Sequence, residues 1–182
     1  GFFVSLNLYL SLTKEEPAMS GQYIEGMVGQ PTFINPVIAT SNEIDLALSE
    51  ILFSNLLQLM ENYDVSSDNK VWTIFLKKDL KWDDNKNITA DDVIFTITLI
   101  QDPDSRSPFS PAWQGLTAEK LNVNEIRLTL KMPYTFFLDN LKDLKIIPKH
   151  IFGGIPAANL KLSKYNLEPV GNGPYKYLSF EK

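Results

Sequence analysis

Asp83-Asp84-Asn85-Lys86-Asn87 alternates carboxylate and amide oxygens, the donor types of a calcium loop. Counted from Asp83, an EF-hand needs Gly at the sixth position and a bidentate Glu at the twelfth; the chain has Ile88 and Ile94 there. The run therefore reads as a solvated turn before a helix, and no metal site is assigned. Asn87-Ile88-Thr89 is a glycosylation sequon, but Thr89 as a helix cap accounts for it without a sugar. His150 is the sole histidine and so the only imidazole base for a serine hydrolase; no Gly-x-Ser-x-Gly elbow presents a nucleophile to it. Gly171-x-Gly173 reaches Lys176 where a dinucleotide loop needs Gly or Ala, and it precedes a strand pattern rather than a helix. Asp91 and Asp92 are adjacent carboxylates suited to acid-base work, yet helix capping explains them more simply. With no catalytic residue and no cofactor site to assign, an aromatic, loop-rich chain points to binding.

The elements that position these residues follow from composition and pattern. The chain has 182 residues, 44% of them hydrophobic, which suffices for a core without disulfide or metal staples. It has no cysteine, which excludes thiolate metal sites and a cysteine nucleophile. A net charge of −5 argues against nucleic acid as a partner, since phosphate binding needs clustered Lys and Arg. The charge is uneven. Residues 1–120 carry 8 basic and 17 acidic side chains, whereas residues 121–182 carry 9 and 5, which describes two solvated faces or a docking surface.

Residues 1–12 are mostly apolar but too few to span a bilayer, which takes about 20 residues. They suit the end of a signal peptide or membrane anchor, or else a buried strand or short core helix, and residues 13–21 form a polar spacer. Gln22–Gly29 has a strand composition that Pro31 ends. Thr40 and Glu43 have capping-box spacing and open a helix whose stripe Ile44, Leu48, Ile51, Leu52 and Leu56 runs to about Leu57. Val71–Lys77 is a strand, with Leu80–Trp82 its short partner. Thr89 caps a second helix that buries Val93, Ile94, Ile97 and Ile100. Three prolines keep residues 102–112 free of regular structure. Thr117–Val123 and Glu125–Lys131 form a hairpin, Thr135–Leu144 a helix burying Phe137, Leu141 and Leu144, and Tyr175–Lys182 a last strand. The class is α/β, a mixed sheet with flanking helices.

Several strings in order resemble one family. Gln22-Tyr-Ile-Glu-Gly-Met-Val-Gly29-Gln30-Pro31-Thr32-Phe-Ile-Asn35-Pro36 is similar to the opening strand and "NP" turn of the extracellular solute-binding proteins of family 5, the peptide and nickel receptors of ABC importers. Leu80–Phe95 resembles that family's acidic turn and "TA-D-DV-F" helix start, and Ile147–His150 and Pro169–Tyr175 resemble two further motifs. Three positions depart from the pattern. Asn85 stands where Gly is usual, and Asn also tolerates a left-handed turn. A segment that members carry between the first helix and the strand before Trp72 is missing between Leu57 and Tyr63, which leaves the pairing there open. No lipobox cysteine follows the apolar start, which favours an uncleaved helix over a lipid anchor.

The resemblance implies the first lobe of a two-lobed, type II periplasmic-binding-protein-like fold, with residues 22–182 as part of lobe one and the second lobe outside this sequence. It implies an extracytoplasmic, membrane-anchored receptor that binds peptides, or another small solute, for import with permease and ATPase subunits, and needs no cofactor. By analogy Val28, Gly29, Gln30, Pro31 and Thr32 form a cleft rim and Trp113 an aromatic wall, with a strand end and a buried anchor as their structural alternatives. Asn172 and Tyr175 are expected near a hinge. The rival readings are a membrane-anchored scaffolding domain that has lost transport and a hydrolase built on His150 or the acidic turn.

Overall fold

The computed structural model describes residues 26–39 and 42–179. The apolar run 1–12, the spacer 13–21, Thr40 and residues 180–182 lie outside the described residues, as does the first half of the strand expected over 22–29. Residues 26–29 belong to no strand.

Helix α1 spans Glu43–Leu52, and a single turn of helix, α2, follows at Leu56–Leu59. Four strands come next in space: β1 (Met60–Val65), β2 (Val71–Leu76), β3 (Thr117–Asn122) and β4 (Glu125–Thr129). They form one antiparallel sheet in the order β1-β2-β4-β3, so the sheet is antiparallel rather than mixed among the described residues. Between β2 and β3 lie α3 (Ala90–Gln101) and the short α4 (Ser110–Trp113); after β4 come α5 (Phe137–Asp143) and α6 (Lys149–Phe152).

Strand period explains the core. Side chains alternate along β2, so Trp72, Ile74 and Leu76 point inward together. The register sets Trp72 opposite Leu128 and Ile74 opposite Ile126, all four buried on one face. Each such apolar side chain contributes about 1.5–3 kcal/mol when removed from water. Val93, Ile97 and Ile100 of α3 and Phe137 of α5 belong to the same core, with the Phe137 ring edge-on to Trp72 at 5.2 Å.

Several expectations need correction. Leu80–Trp82 is not a sheet strand: Lys81 makes one isolated bridge to Asn87, and the edges of β2 are taken by β1 and β4. The segment after Leu57 becomes β1, which pairs with β2 from Met60 opposite Leu76 to Val65 opposite Trp72. The first helix stops at Leu52 with Asn42 as its cap, and Ile51 of the expected stripe is exposed. Residues 102–112 do contain regular turns, because Pro103 and Pro111 sit in first turns where a missing N–H costs nothing. Residues 175–179 lie in no strand.

The adjacent carboxylates of α3 divide their work. Asp92 is buried; one oxygen accepts the Thr89 N–H (2.9 Å) and the other the Lys149 N–H (2.9 Å), joining the helix start to α6. Asp91 is half-exposed and pairs with Lys120 and, at 3.5 Å, Lys149. Asp92→Ala is therefore expected to cost about 2–4 kcal/mol in urea denaturation, because two backbone donors lose a charged acceptor. Asp91→Ala should cost less than about 1 kcal/mol. A smaller loss for Asp92→Ala than for Asp91→Ala would refute this division.

Candidate functional site

Helix α1 positions both groups of residues singled out by the sequence, one at each end. At its N-terminus Asn42 has the extended backbone of a cap, and its Oδ1 accepts the Ile44 N–H at 3.0 Å. Its Nδ2 donates outward, to the Gln30 carbonyl (3.0 Å) and the Thr32 hydroxyl (3.3 Å). Three residues on, Asp45 is 1% exposed. Asp45 Oδ1 accepts the Thr32 N–H (2.7 Å), while Oδ2 accepts the Thr32 hydroxyl (2.5 Å) and the Phe33 N–H (2.9 Å). A carboxylate in the first helical turn is also favoured by the positive end of the helix dipole. The rim is thus strapped to α1 by the helix's N-cap and by a carboxylate of its first turn.

What the straps hold up is main chain. Val28 is fully exposed, Gly29, Gln30 and Thr32 are exposed, and Pro31 is half-buried. No hydrogen bond among the described residues uses the N–H or C=O of Val28 or Gly29. Gly29 has φ +127°, a conformation that favours glycine, and a Cβ there would lie 2.7 Å from the end of the Ile44 side chain, which would have to shift. Behind the rim, Asn35 Oδ1 accepts the Val37 N–H (3.0 Å), and Ile34 donates to the Asn166 carbonyl (2.8 Å). The "NP" turn is thereby locked onto the segment around Leu160–Asn166.

At the other end of α1, the last carbonyls need donors. Asn172 and Gly173 donate to the Leu52 carbonyl at 3.0 and 2.9 Å, and Tyr175 donates to Ile51 at 3.1 Å. Ser54 donates its N–H to Asn172 Oδ1 (2.9 Å) and its hydroxyl to the Asn172 carbonyl (3.1 Å). Asn172 and Tyr175 therefore serve as a helix terminus clamp. A helix of 10 residues rises about 15 Å, which separates this clamp from the rim.

Trp113 is not with either group. It is 3% exposed, edge-on to Phe137 at 6.0 Å, in the core beneath the sheet. Its neighbour Gln114 lines a groove of about 570 Å³ with Leu116, Leu130, Met132, Tyr134 and Phe137, which no rim residue enters.

The acidic turn is fully engaged by protein. Asn85 adopts φ +68°, the left-handed conformation that its place in the motif implied. Asp83 Oδ2 accepts the Gly171 N–H (3.2 Å); burial pushes this carboxyl up, and Gly171 and Lys176 offset only part of that. Asp84 Oδ2 lies 2.6 Å from His150 Nε2. Burial alone raises the Asp84 carboxyl, but hydrogen bonds from His150 and the Lys86 N–H outweigh it and hold it below the usual carboxylate range. His150 is thus a hydrogen-bond partner of Asp84, and no serine among the described residues is hydrogen-bonded to it.

A family model described as "Bacterial extracellular solute-binding proteins, family 5 Middle" matches residues 56–182. The chain is 28% identical over 180 residues to the oligopeptide-binding protein AppA of Bacillus subtilis, covering 92% of this chain and 33% of that protein. The structure of AppA in complex with a nonapeptide superposes with TM-score 0.77, covering 86% of this chain and 33% of AppA. The structure of NikZ from Campylobacter jejuni in complex with Ni(L-His) superposes with TM-score 0.75 at 31% identity, covering 85% and 32%. The chain thus spans about a third of the length of the relatives it matches.

Proposed function

The chain belongs to the bacterial extracellular solute-binding proteins of family 5, and on that premise we propose that it is part of lobe one of a peptide receptor feeding an ABC importer. Its fold is the type II, periplasmic-binding-protein-like architecture of its structural neighbours. In this reading residues 22–182 form part of the first lobe, residues 1–12 are the end of a signal peptide or membrane anchor, and residues 13–21 are a spacer. No helix among the described residues is long and apolar enough to cross a membrane.

The observation that carries the reading is the strapped rim. Val28 and Gly29 form an exposed bend whose main-chain groups have no hydrogen-bond partner among the described residues, with neutral side chains from Met27 to Thr32, while Asn42 and Asp45 fix the segment from behind. Exposed main-chain groups of this kind suit a peptide, whose own main chain supplies complementary donors and acceptors whatever its side chains. A rim without charge at residues 27–32 gives no anchor for a particular ionic side chain. Closure of a second lobe over the ligand would follow from contacts made to both lobes, because only differential affinity shifts that equilibrium. The permease and ATPase are the partners this role requires, in an extracytoplasmic setting.

The test is a thermal-shift screen of the intact gene product against peptide mixtures, nickel complexes and oligosaccharides. A peptide at 100 times its dissociation constant should add about 2.7 kcal/mol of stability. A folded two-lobed protein that shifts with none of the classes would refute the receptor reading; a shift with nickel complexes alone would refute the peptide assignment.

A further inference from the structure

We propose that the groove flanked by α4 and α5 takes the carboxyl-terminal residue of a peptide when that residue is bulky and apolar, its side chain against Leu116, Leu130 and Phe137 and its carboxylate on Lys131. The class of ligand rests on the receptor reading; the site is a separate one, sharing no residue with the rim at 28–32.

The groove opens where the β3–β4 hairpin ends. Pairing stops at Thr117 opposite Thr129. Before it, Gly115 turns the chain out of α4 with φ +77°; after it, residues 131–136 lead through Pro133 into α5. Leu116 and Phe137 are buried, and with Leu130, Met132 and Tyr134 they give an apolar lining to about 570 Å³, a volume that suits a small ligand. One side of the groove is fixed. Gln101 Nε2 donates to the Trp113 and Leu116 carbonyls (2.6 and 2.7 Å), and Gln114 Nε2 donates to the Gln101 carbonyl (3.0 Å) and the Ser110 hydroxyl (2.8 Å). A wall held in this way loses little freedom when a ligand arrives. The other side is adaptable: Met132 is 73% exposed, and its unbranched thioether chain can follow side chains of different shape. Met132, Tyr134 and Phe136 are all exposed within five consecutive residues, a clustering of apolar surface that marks an interaction site.

Charge and main chain select the occupant. Lys131 is the one charged side chain in the lining, and it makes no ion pair among the described residues. Its stem lies along Gly115, with Cδ 3.6 Å from the place a Cβ would occupy there. The N–H groups of Gly115, Lys131 and Met132 have no main-chain partner among the described residues, and Asn140 adds a side-chain amide to the lining. An acyl chain with a carboxylate head would satisfy the apolar surface and the cation but leave these polar groups bare. A peptide end satisfies all three. Its last residue carries side chain and carboxylate on the same Cα, which keeps the negative charge within reach of Lys131 while the side chain is in the groove, and its amides match the free main-chain groups.

The experiment is calorimetric titration of the intact gene product with Ala-Ala-Phe, Ala-Ala-Phe-amide and Ala-Ala-Ala. Ala-Ala-Phe is expected to bind about tenfold more tightly than Ala-Ala-Ala, the scale of one partly buried aromatic side chain. It should bind about two- to fivefold more tightly than its amide, the scale of an exposed ion pair. Lys131→Gln should remove the difference between acid and amide, and Met132→Asn should shrink the difference between Phe and Ala by at least about threefold; both positions are exposed, so the fold tolerates either change. Tripeptides that bind with equal affinity, or with differences that survive both variants, overturn the groove proposal and leave the receptor reading standing. Absence of binding by all three tripeptides overturns the groove, whereas the receptor reading still answers to the wider peptide screen. Decanoate that binds in a Met132-dependent manner where Ala-Ala-Phe does not makes an acyl chain the occupant, and a dimer in sedimentation that Met132→Asn dissociates makes it a second copy; either result overturns the assignment.

Discussion

Replacing Asp45 by alanine is expected to lower the stability of the chain by about 3 kcal/mol and its melting temperature by about 6–12 °C. Both carboxylate oxygens are in use, on the Thr32 N–H, the Thr32 hydroxyl and the Phe33 N–H, and the side chain is almost entirely out of water. Hydrogen bonds to a charged acceptor contribute about 1.5–3 kcal/mol each, but water can replace part of the loss at the exposed Thr32. Asp45→Asn is the informative companion. An amide has one acceptor oxygen, and its NH₂ would face a donor, so asparagine should recover less than half of the loss. Thr32→Val, which removes only the hydroxyl, should cost about 1 kcal/mol. Urea denaturation of the three variants checks the order. Asparagine as stable as aspartate would mean that the carboxylate is not the strap.

The same substitution separates stability from function. With the strap cut, residues 28–32 lose their backing, and on the proposed reading, in which the intact protein binds peptide at this rim, peptide affinity should fall by about tenfold, or 1.4 kcal/mol. Isothermal titration at a temperature where the variant remains folded measures this. Unchanged affinity would remove the rim from the binding surface while leaving the strap's structural role intact.

Why Asp45 escaped the sequence reading shows where local pattern stops. A carboxylate in the first turn of a helix resembles an ordinary complement to the helix dipole, and its partners at Thr32 and Phe33 lie in a preceding segment that periodicity does not register. The cap lies two residues beyond Thr40 for a related reason: Thr40, Ser41 and Asn42 are all of good capping types, and it is Asn42 whose Oδ1 accepts the Ile44 N–H. Segments governed by nearby residues were legible. The hairpin around Asn122–Asn124 and the helix burying Phe137, Leu141 and Leu144 form where alternation and helical spacing put them. Strand β1 was not legible, because Glu61, Asn62, Tyr63 and Asp64 are all exposed on an edge strand and show no alternation. Its existence depends on the free edge of β2. The residue type of Trp82 suits a strand, whereas it is buried at the base of the acidic turn. The motif strings locate the rim, the turn and the Gly171–Tyr175 segment, but the partners of that last segment lie as far away in sequence as Ile51, which accepts from Tyr175.

That last segment carries the other large effect: Gly171→Ala and Gly173→Ala are each expected to cost at least about 3 kcal/mol, or to prevent folding. Paired glycines beside an asparagine invite a hinge interpretation, in which glycine supplies freedom. Neither glycine has a left-handed backbone, so freedom is not what the site requires. Space is. A Cβ on Gly171 would sit 2.0 Å from the Leu52 carbonyl oxygen, and one on Gly173 would lie 2.5 Å from the Ile51 oxygen and 2.6 Å from the Leu52 carbonyl carbon. These are backbone atoms at the end of α1 and cannot swing aside like a flexible side chain. Relief requires pulling the segment off the helix, which breaks the bonds from Asn172, Gly173 and Tyr175 to Leu52 and Ile51 and frees Ser54. The orphaned carbonyls would then need water at a position now covered by chain. Gly154→Ala is the control, since nothing lies within 4 Å of its Cβ position and its backbone is ordinary. It should be neutral or stabilising by up to about 1 kcal/mol. Denaturation midpoints of the three variants decide between clamp and hinge: Gly171→Ala and Gly173→Ala as stable as Gly154→Ala would mean that the segment yields, and that α1 is not clamped by it.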